Sequence, residues 1–495
     1  MLTQLSRPFF LQRQRQIERY ADEAEQMQMQ VLRRLLSRAQ KSEVGQRYDF
    51  SSIRTYEEFA RRVPVGDYES HKADILRMQA GEPDILWPGR CRWFAKSSGT
   101  TNDRSKFIPV TSEGLHRLHY RGGTDAVALY LQTRHDARCF DGRALILGGS
   151  FDTPSSATAQ SGDLSAILIR NIPRAAEIMR TPNREVALLA DFEEKRERIA
   201  QIALHQDVHT LSGVPSWMMA VLKRVMELAQ TDNLADVWPH LEVFWHGGVA
   251  FGPYREQYQQ IIRSPRMQYR ETYNASEGFF GLQSDPADPA MLLMLDYDCF
   301  YEFQNMDTGE ICPVWGVRPG DNYAMLITTS CGLWRYQIGD TIRFTQTHPY
   351  KFLISGRTKC FINAFGEELM VDNAEQALLE VCKATNAQVK DYTAAPVFMD
   401  TAGQCRHQWL VEFTTPPSCP TAEFATLLDD ALRRINSDYD AKRHRNITLQ
   451  NLELLAVAPG TFDLWLKSRG KLGGQHKVPR LSNDRKIVDS ILELL

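Results

Sequence analysis

The spacing of apolar and polar positions changes several times along the chain, and each change predicts an element. From residue 11 to residue 40 the chain is rich in Gln, Arg, Glu, Met and Leu and has no Gly or Pro, so it reads as one or two helices. Within it, Met27 to Leu36 repeats apolar residues at helical spacing, which predicts one face packed on the rest of the protein. The short runs ALILGG (144–149) and VFWHGG (243–248) end in paired glycines, the pattern of strands that open into a binding loop. Pro215, in SGVPSWMMAVLKRVMELA, suits the first turn of a helix, where a missing N–H costs nothing. Between Met291 and Phe344 the pattern turns to β in MLLMLDYDCFYEF, NYAMLITT and LWRYQIGDTIRF, separated by Gly, Pro and Asp. Past Gly356 a smaller mixed segment begins, with helices near Asn373 to Thr385 and Thr421 to Tyr439 and a strand near Gln408 to Phe413. There is no tandem repeat. The expected fold is α/β, with a large N-terminal domain (1–356) and a smaller C-terminal α+β domain (357–495).

Composition narrows the class without changing that picture. A chain of 495 residues exceeds what one compact core holds, so two or more domains are expected. Hydrophobic residues at 43% and charged residues at 24% are ordinary globular values. A formal net charge of −3 shows no basic excess, which argues against nucleic acid as the main partner. No apolar run approaches the ~18 residues of a membrane span, and the start, MLTQLSRPFFLQRQRQIERY, lacks the apolar stretch of a secretory signal. The nine cysteines are odd in number and never form C-x-x-C, which fits a reduced, cytoplasmic compartment.

Four strings carry candidate chemistry, and each has a plainer alternative. SSGTTNDRSK (97–106) is not a Walker A loop, yet hydroxyls and backbone N–H groups around Gly99 could wrap a phosphate chain, with Lys106 adding charge; it also reads as a Ser/Thr-rich surface turn. In TYNASE (272–277), Glu277 offers Mg²⁺ an oxygen ligand and Tyr273 could lie flat on a purine; the alternative is an ordinary strand-to-helix turn. In WRYQIGD (334–340), the two oxygens of Asp340 match the vicinal hydroxyls of a ribose, or Asp340 simply ends a hairpin. In GGQHKVPR (473–480), Lys477 sits between a glycine pair and a proline, where it could be presented into a cleft or be solvated.

Taken together, SSGTT…K…IP, Y-x-x-SE, Y-x-x-GD and Q-x-K-x-P-R, in that order, resemble the Gretchen Hagen three family of acyl-acid amido synthetases, an outlying branch of the acyl-adenylate-forming superfamily. The likeness extends to residues 46–90, LILGGSF (145–151), SGVPSW (212–217) and the tail from Gly460, nearly the whole chain. The resemblance implies that Ser97, Ser98, Gly99, Thr100 and Thr101 surround the outer phosphates of ATP. Thr272, Tyr273, Asn274, Ala275, Ser276 and Glu277 would border the adenine and α-phosphate, with Glu277 contacting Mg²⁺. Asp340 would hold the ribose and Tyr336 would stand with it among the nucleotide contacts. Arg357 falls at the superfamily's hinge and nucleotide-contacting Arg, and Lys477 is the lysine of a mobile small domain. One departure is Asn102-Asp103 where many superfamily loops have Gly, which leaves the role of Lys106 open.

The reaction so implied is adenylation of a small carboxylic acid by ATP with Mg²⁺, followed by acyl transfer to an amine, in the first instance an amino acid. The chain would work as a monomer or weak homo-oligomer. Trp245, Gly247, Gly248, Val249, Phe251 and Phe279, close to the motifs, are the expected walls of an apolar acyl pocket, though each could equally be core. The rivals are an acyl-CoA ligase, ending in a thioester, and a non-catalytic nucleotide-binding protein of the same fold. Other candidates fail: His205 and His209 are four apart in HQDVH but no third metal ligand is evident, His116 and His119 read as helix-surface residues, and EEKRER (193–198) as a solvated helix face.

Overall fold

The computed structural model describes residues 2–97, 106–151, 158–249, 251–357, 361–398, 405–444, 449–469 and 478–495. They fall into two compact units that divide after residue 358. The first holds a twelve-stranded sheet. From one edge its strands are Ile311–Pro313, Cys299–Asn305, Asn322–Thr329, Tyr336–Thr347, Tyr350–Arg357, Met291–Leu293, Gly278–Gln283, Gln268–Ala275, Val243–His246, Val208–Gly213, Arg143–Ile146 and Arg180–Thr181.

The strand Gln268–Ala275 is the seam of this sheet. It pairs antiparallel with Gly278–Gln283 on one side and parallel with Val243–His246 on the other. Everything beyond Val243–His246 is parallel, and everything beyond Gly278–Gln283 is antiparallel. Parallel strands are buried on both faces by the helices of their crossovers. Here Tyr130, from the helix Tyr120–Thr133, meets Trp245 edge-on at 5.8 Å. From the helix Gly252–Ile261, Tyr258 stacks on Phe244 at 5.1 Å. A separate three-stranded sheet joins Lys106–Val110, Trp93–Ser97 and Gln160–Gly162.

The N-terminal residues form two helices, Leu2–Glu18 and Ala24–Ala39. On the second, Met27, Val31, Leu32, Leu35 and Leu36 are buried in the large core cluster, the face that the periodicity predicted. Pro215 opens the helix Pro215–Ala229 as expected. The strand-rich stretch resolves into the strands Met291–Leu293, Cys299–Asn305, Asn322–Thr329 and Tyr336–Thr347.

The second unit has a three-stranded sheet in the order Gln388–Val397, Arg406–Thr415, Glu453–Val457. Its helices include Val371–Thr385, Thr421–Ile435 and Thr461–Ser468. Leu410, Phe462, Trp465 and Val488 belong to its small core. Among the described residues, no helix is long and apolar enough to cross a membrane.

Candidate active site

The TYNASE string is not a strand-to-helix turn. Ala275 pairs with Gly278, so Ser276 and Glu277 form a two-residue turn between antiparallel strands. Alternation along the ribbon separates its side chains. Tyr273 is only 7% exposed and packs edge-to-face against Phe280 at 5.1 Å and Phe352 at 6.0 Å. Its ring therefore stands in the core instead of offering a face to a purine, and its hydroxyl donates to Oδ2 of Asp340. That bond joins two of the four sequence strings. Asp340 lies inside the strand Tyr336–Thr347 and not at a hairpin end. Gly339, just before it, has φ of +90°, a backbone that suits glycine.

The glycine pair after Val243–His246 meets the same ribbon. A Cβ on Gly247 would lie 2.4 Å from the carbonyl oxygen of Thr272, so only glycine permits this approach. Thr272 Oγ1 donates to the carbonyl of His246 at 3.1 Å. Gly248 turns the chain away with φ of +83°. The ends of parallel strands, TYNASE and Asp340 thus form one continuous surface of contacts, where ligands of α/β sheets bind.

One member of this group was missed by the sequence reading. His119, at the end of the π-helical turn Leu115–His119, is not a surface residue: it is 3% exposed, and its Nδ1–H donates to Oδ1 of Asn274 at 3.2 Å. Burial pushes its pKa down to about 4, against the pull of the Asn274 bond, so the ring is neutral at neutral pH. Its Nε2 is buried without a partner among the described residues. A single π turn inside a helical run is a recurrent mark of functional sites, but no residue type in the sequence signals it.

Other expectations need correction. Tyr336 is fully buried and edge-on to His71 at 5.5 Å, so it is a core residue and not a nucleotide contact. Phe279 is 5% exposed and lies against Gly122, where a Cβ would come 2.3 Å from its ring; it packs a helix onto the sheet. Trp245 and Phe251 do not share a wall. Trp245 packs on Tyr130, whereas Phe251 stacks on His246 at 3.9 Å and meets Phe244 at 6.1 Å, the two side chains that alternate to the other face of the strand. Val249 is 8% exposed. The EEKRER run is not wholly solvated either, because Lys195 is buried and donates to the carbonyls of Gly148 and Gly149, each at 3.0 Å.

The strands Trp93–Ser97 and Lys106–Val110 are antiparallel, with Ser97 opposite Lys106. Both ends of the hydroxyl-rich string are therefore held side by side. Ser98, Gly99, Thr100, Thr101 and Lys477 lie outside the described residues. The backbone of Arg357 pairs with Asp340 across adjacent strands. For Mg²⁺, the test is donor chemistry. Glu277 at the hairpin turn offers a hard carboxylate oxygen, and Mg²⁺ needs only one or two carboxylates when phosphates complete its shell.

The fold, a mixed sheet whose parallel half ends in a glycine loop beside this hairpin, followed by a small α+β unit, is shared with two solved ligase structures. GH3.15 acyl acid amido synthetase superimposes with a TM-score of 0.60 at 17% identity, over 96% of this chain and 95% of that one. 2-Hydroxyisobutyryl-CoA ligase does so with a TM-score of 0.58 at 14% identity, over 94% and 91%. The chain belongs to the GH3 family: residues 13–267 match the GH3 family N-terminal domain, 292–357 the central domain and 372–486 the C-terminal domain. Indole-3-acetic acid-amido synthetase GH3.4 of Arabidopsis thaliana is 23% identical over 562 residues, which cover 96% of this chain and 92% of the relative. Probable indole-3-acetic acid-amido synthetase GH3.1 of Oryza sativa subsp. japonica is 24% identical over 561 residues, covering 96% and 90%.

Proposed function

We propose that this chain is an ATP-dependent acyl-acid amido synthetase that adenylates a small carboxylic acid and passes the acyl group to the amine of an amino acid. The observation that carries the reading is the hydrogen bond from Tyr273 to Asp340, which ties the ribose-binding candidate to the hairpin bearing Glu277. Membership of the GH3 family supports it, as do relatives named amido synthetases.

In the first half-reaction a carboxylate oxygen of the acid attacks the α-phosphorus of ATP, and pyrophosphate leaves with the electron pair of the broken P–O bond. Two anions must approach, so the chain's task is alignment and charge compensation. Asp340 accepts from the ribose hydroxyls and fixes the nucleoside. Ser97, Ser98, Gly99, Thr100 and Thr101 cradle the outer phosphates, with Lys106 at the end of that string. Glu277 would hold Mg²⁺, which supplies further neutralisation of the phosphates when bound. Arg357 and Lys477 add positive charge. In the second half-reaction the amine nitrogen attacks the acyl carbon, AMP leaves, and the nitrogen loses a proton. A cytoplasmic location accompanies this reading, supported by cysteines that are free thiols wherever described.

The test is ATP–pyrophosphate exchange with a panel of carboxylic acids. Acid-dependent exchange is expected, and Lys477→Ala should lower it by roughly 10²–10³ while ATP still binds. Exchange absent with every acid overturns the reading in favour of a nucleotide-binding protein. Product masses with an amino-acid mixture or with CoA then separate the amide from a thioester.

A further inference from the structure

At the end of the parallel strands opposite Gly213 and Gly248, three side chains converge that the adenylation site does not use. His209 is the second residue of Val208–Gly213, and Asp207 directly precedes that strand. His240 comes from the turn before Val243–His246, the parallel neighbour, in which Val243 pairs with Thr210. Oδ2 of Asp207 lies 2.9 Å from His209 Nε2, and both its oxygens lie 3.1 Å from His240 Nδ1. One ligand atom from each residue falls within 4.8 Å of the others.

The protonation of His209 makes this more than a polar cluster. Its Nδ1 is 2.7 Å from the carbonyl oxygen of Arg138. A carbonyl only accepts, so Nδ1 carries a hydrogen. The neutral ring then aims the bare lone pair of Nε2 at an acceptor-only carboxylate. Two acceptors at that distance repel unless a positive charge stands between them, either a second proton or a metal ion. A backbone carbonyl that fixes one ring nitrogen is also the arrangement that orients metal-binding imidazoles. Arg138 is held in turn, since its N–H donates to Glu242 at 2.8 Å. The His209 ring is 1% exposed and is backed by Gly142, where a Cβ would lie 2.1 Å from it. Asp207 and His240 stay half-exposed, leaving a way in from solvent.

The geometry points to a binding site for a divalent ion of the zinc class, held by a carboxylate oxygen of Asp207, Nε2 of His209 and Nδ1 of His240. Two imidazole nitrogens and one carboxylate oxygen, with water in the fourth position, are a zinc donor set. Bonds of about 2.0 Å in a tetrahedron set neighbouring ligands about 3.3 Å apart. The observed 2.9 Å and 3.1 Å from the Asp207 carboxylate are close to that spacing, and the two ring nitrogens, within 4.8 Å of each other, would close up as the half-exposed His240 swings in. An ion here clasps the start of one parallel strand to the turn that launches the next, so it stabilises the sheet and takes no part in adenylation.

The full chain, without a histidine tag and stripped by a chelator, is titrated with Co²⁺ in the absence of ATP. One equivalent is expected to bind with the intensified visible bands of four-coordinate cobalt, and Zn²⁺ should displace it. His240→Ala and Asp207→Asn should each weaken binding by about 100-fold or more, beyond what loss of an outer partner costs. Zn²⁺ should also raise the unfolding midpoint of the natural chain and not that of His240→Ala. Absence of intensified bands, or an affinity that neither variant changes, overturns the site and leaves an imidazolium–carboxylate pair at His209 and Asp207.

Discussion

The hydroxyl of Tyr273 donates to the carboxylate of Asp340 although three strands separate their own strands in the sheet. Strand spacings of about 4.8 Å would put them about 19 Å apart on a flat sheet, farther than the two side chains and the bond between them can reach. The sheet must curl there. Register shifts between Tyr273 and Asn274 and between Thr341 and Ile342 flank both residues, and bulges of this kind bend strands and raise their twist. The curl closes the antiparallel half around Phe280 and Phe352 and brings two distant motifs to one place.

Tyr273→Phe keeps the ring packing and deletes the donor. The expected outcome is an unchanged fold with ATP affinity about tenfold weaker, on the order of 1 kcal/mol for one hydrogen bond that positions Asp340. Isothermal titration with ATP, or the KM for ATP in pyrophosphate exchange, checks it; equal affinity would separate the contact from nucleotide binding.

Gly122→Ala is expected to destabilise, although alanine is the better helix former by ~1 kcal/mol. The new methyl would come 2.3 Å from the ring of Phe279, and overpacking of that kind costs about 1–3 kcal/mol. Pairing it with Phe279→Leu should restore part of the loss in urea unfolding, because the clash partner shrinks.

Acid should unfold the protein partly through His119. Its folded pKa of about 4 lies below the unfolded value of 6.5, so the unfolded chain binds the proton first. The contribution is fully present above pH 6.5, falls as pH drops, and is lost down to about pH 4. Between pH 7 and pH 5 this amounts to about 2 kcal/mol. His119→Gln should lose correspondingly less stability over that interval, read from urea midpoints at the two pH values.

Arg335→Met should be severe. Its guanidinium is 6% exposed and Glu302 1%, and it also donates to the carbonyls of Ala60 at 2.7 Å and Val63 at 2.9 Å. Removing it strands a buried carboxylate and two carbonyls, for a loss of about 3–5 kcal/mol. A drop in the thermal midpoint checks it, and a variant as stable as the natural chain would show that Glu302 is relieved some other way.

Much of the fold was legible. The helix Pro215–Ala229, the strand Asn322–Thr329 and the buried face of Ala24–Ala39 were marked by a helix-starting proline and by apolar spacing that nearby residues impose on one another. The site strings were legible as chemistry, since hydroxyls, carboxylates and glycines at those spacings suit a phosphate chain and a ribose. What each side chain does was less so. Tyr273 and Tyr336 are both tyrosines in motif positions, yet one reaches Asp340 and the other is sealed against His71. Lys195 sits in a run of charges that looks solvated, but its turn of the helix faces the Gly148-Gly149 loop.

The sequence alone determined several elements, the α/β class and the chemical character of the motifs, because these depend on period and residue type over a few neighbours. Only the tertiary structure decided that Tyr273 meets Asp340, that Trp245 and Phe251 part to opposite faces, that His119 turns inward to Asn274, and that His209 finds Asp207 and His240. Those relations depend on strand pairing, bulges and the curl of the sheet, which join residues dozens of positions apart and leave no mark in local spacing.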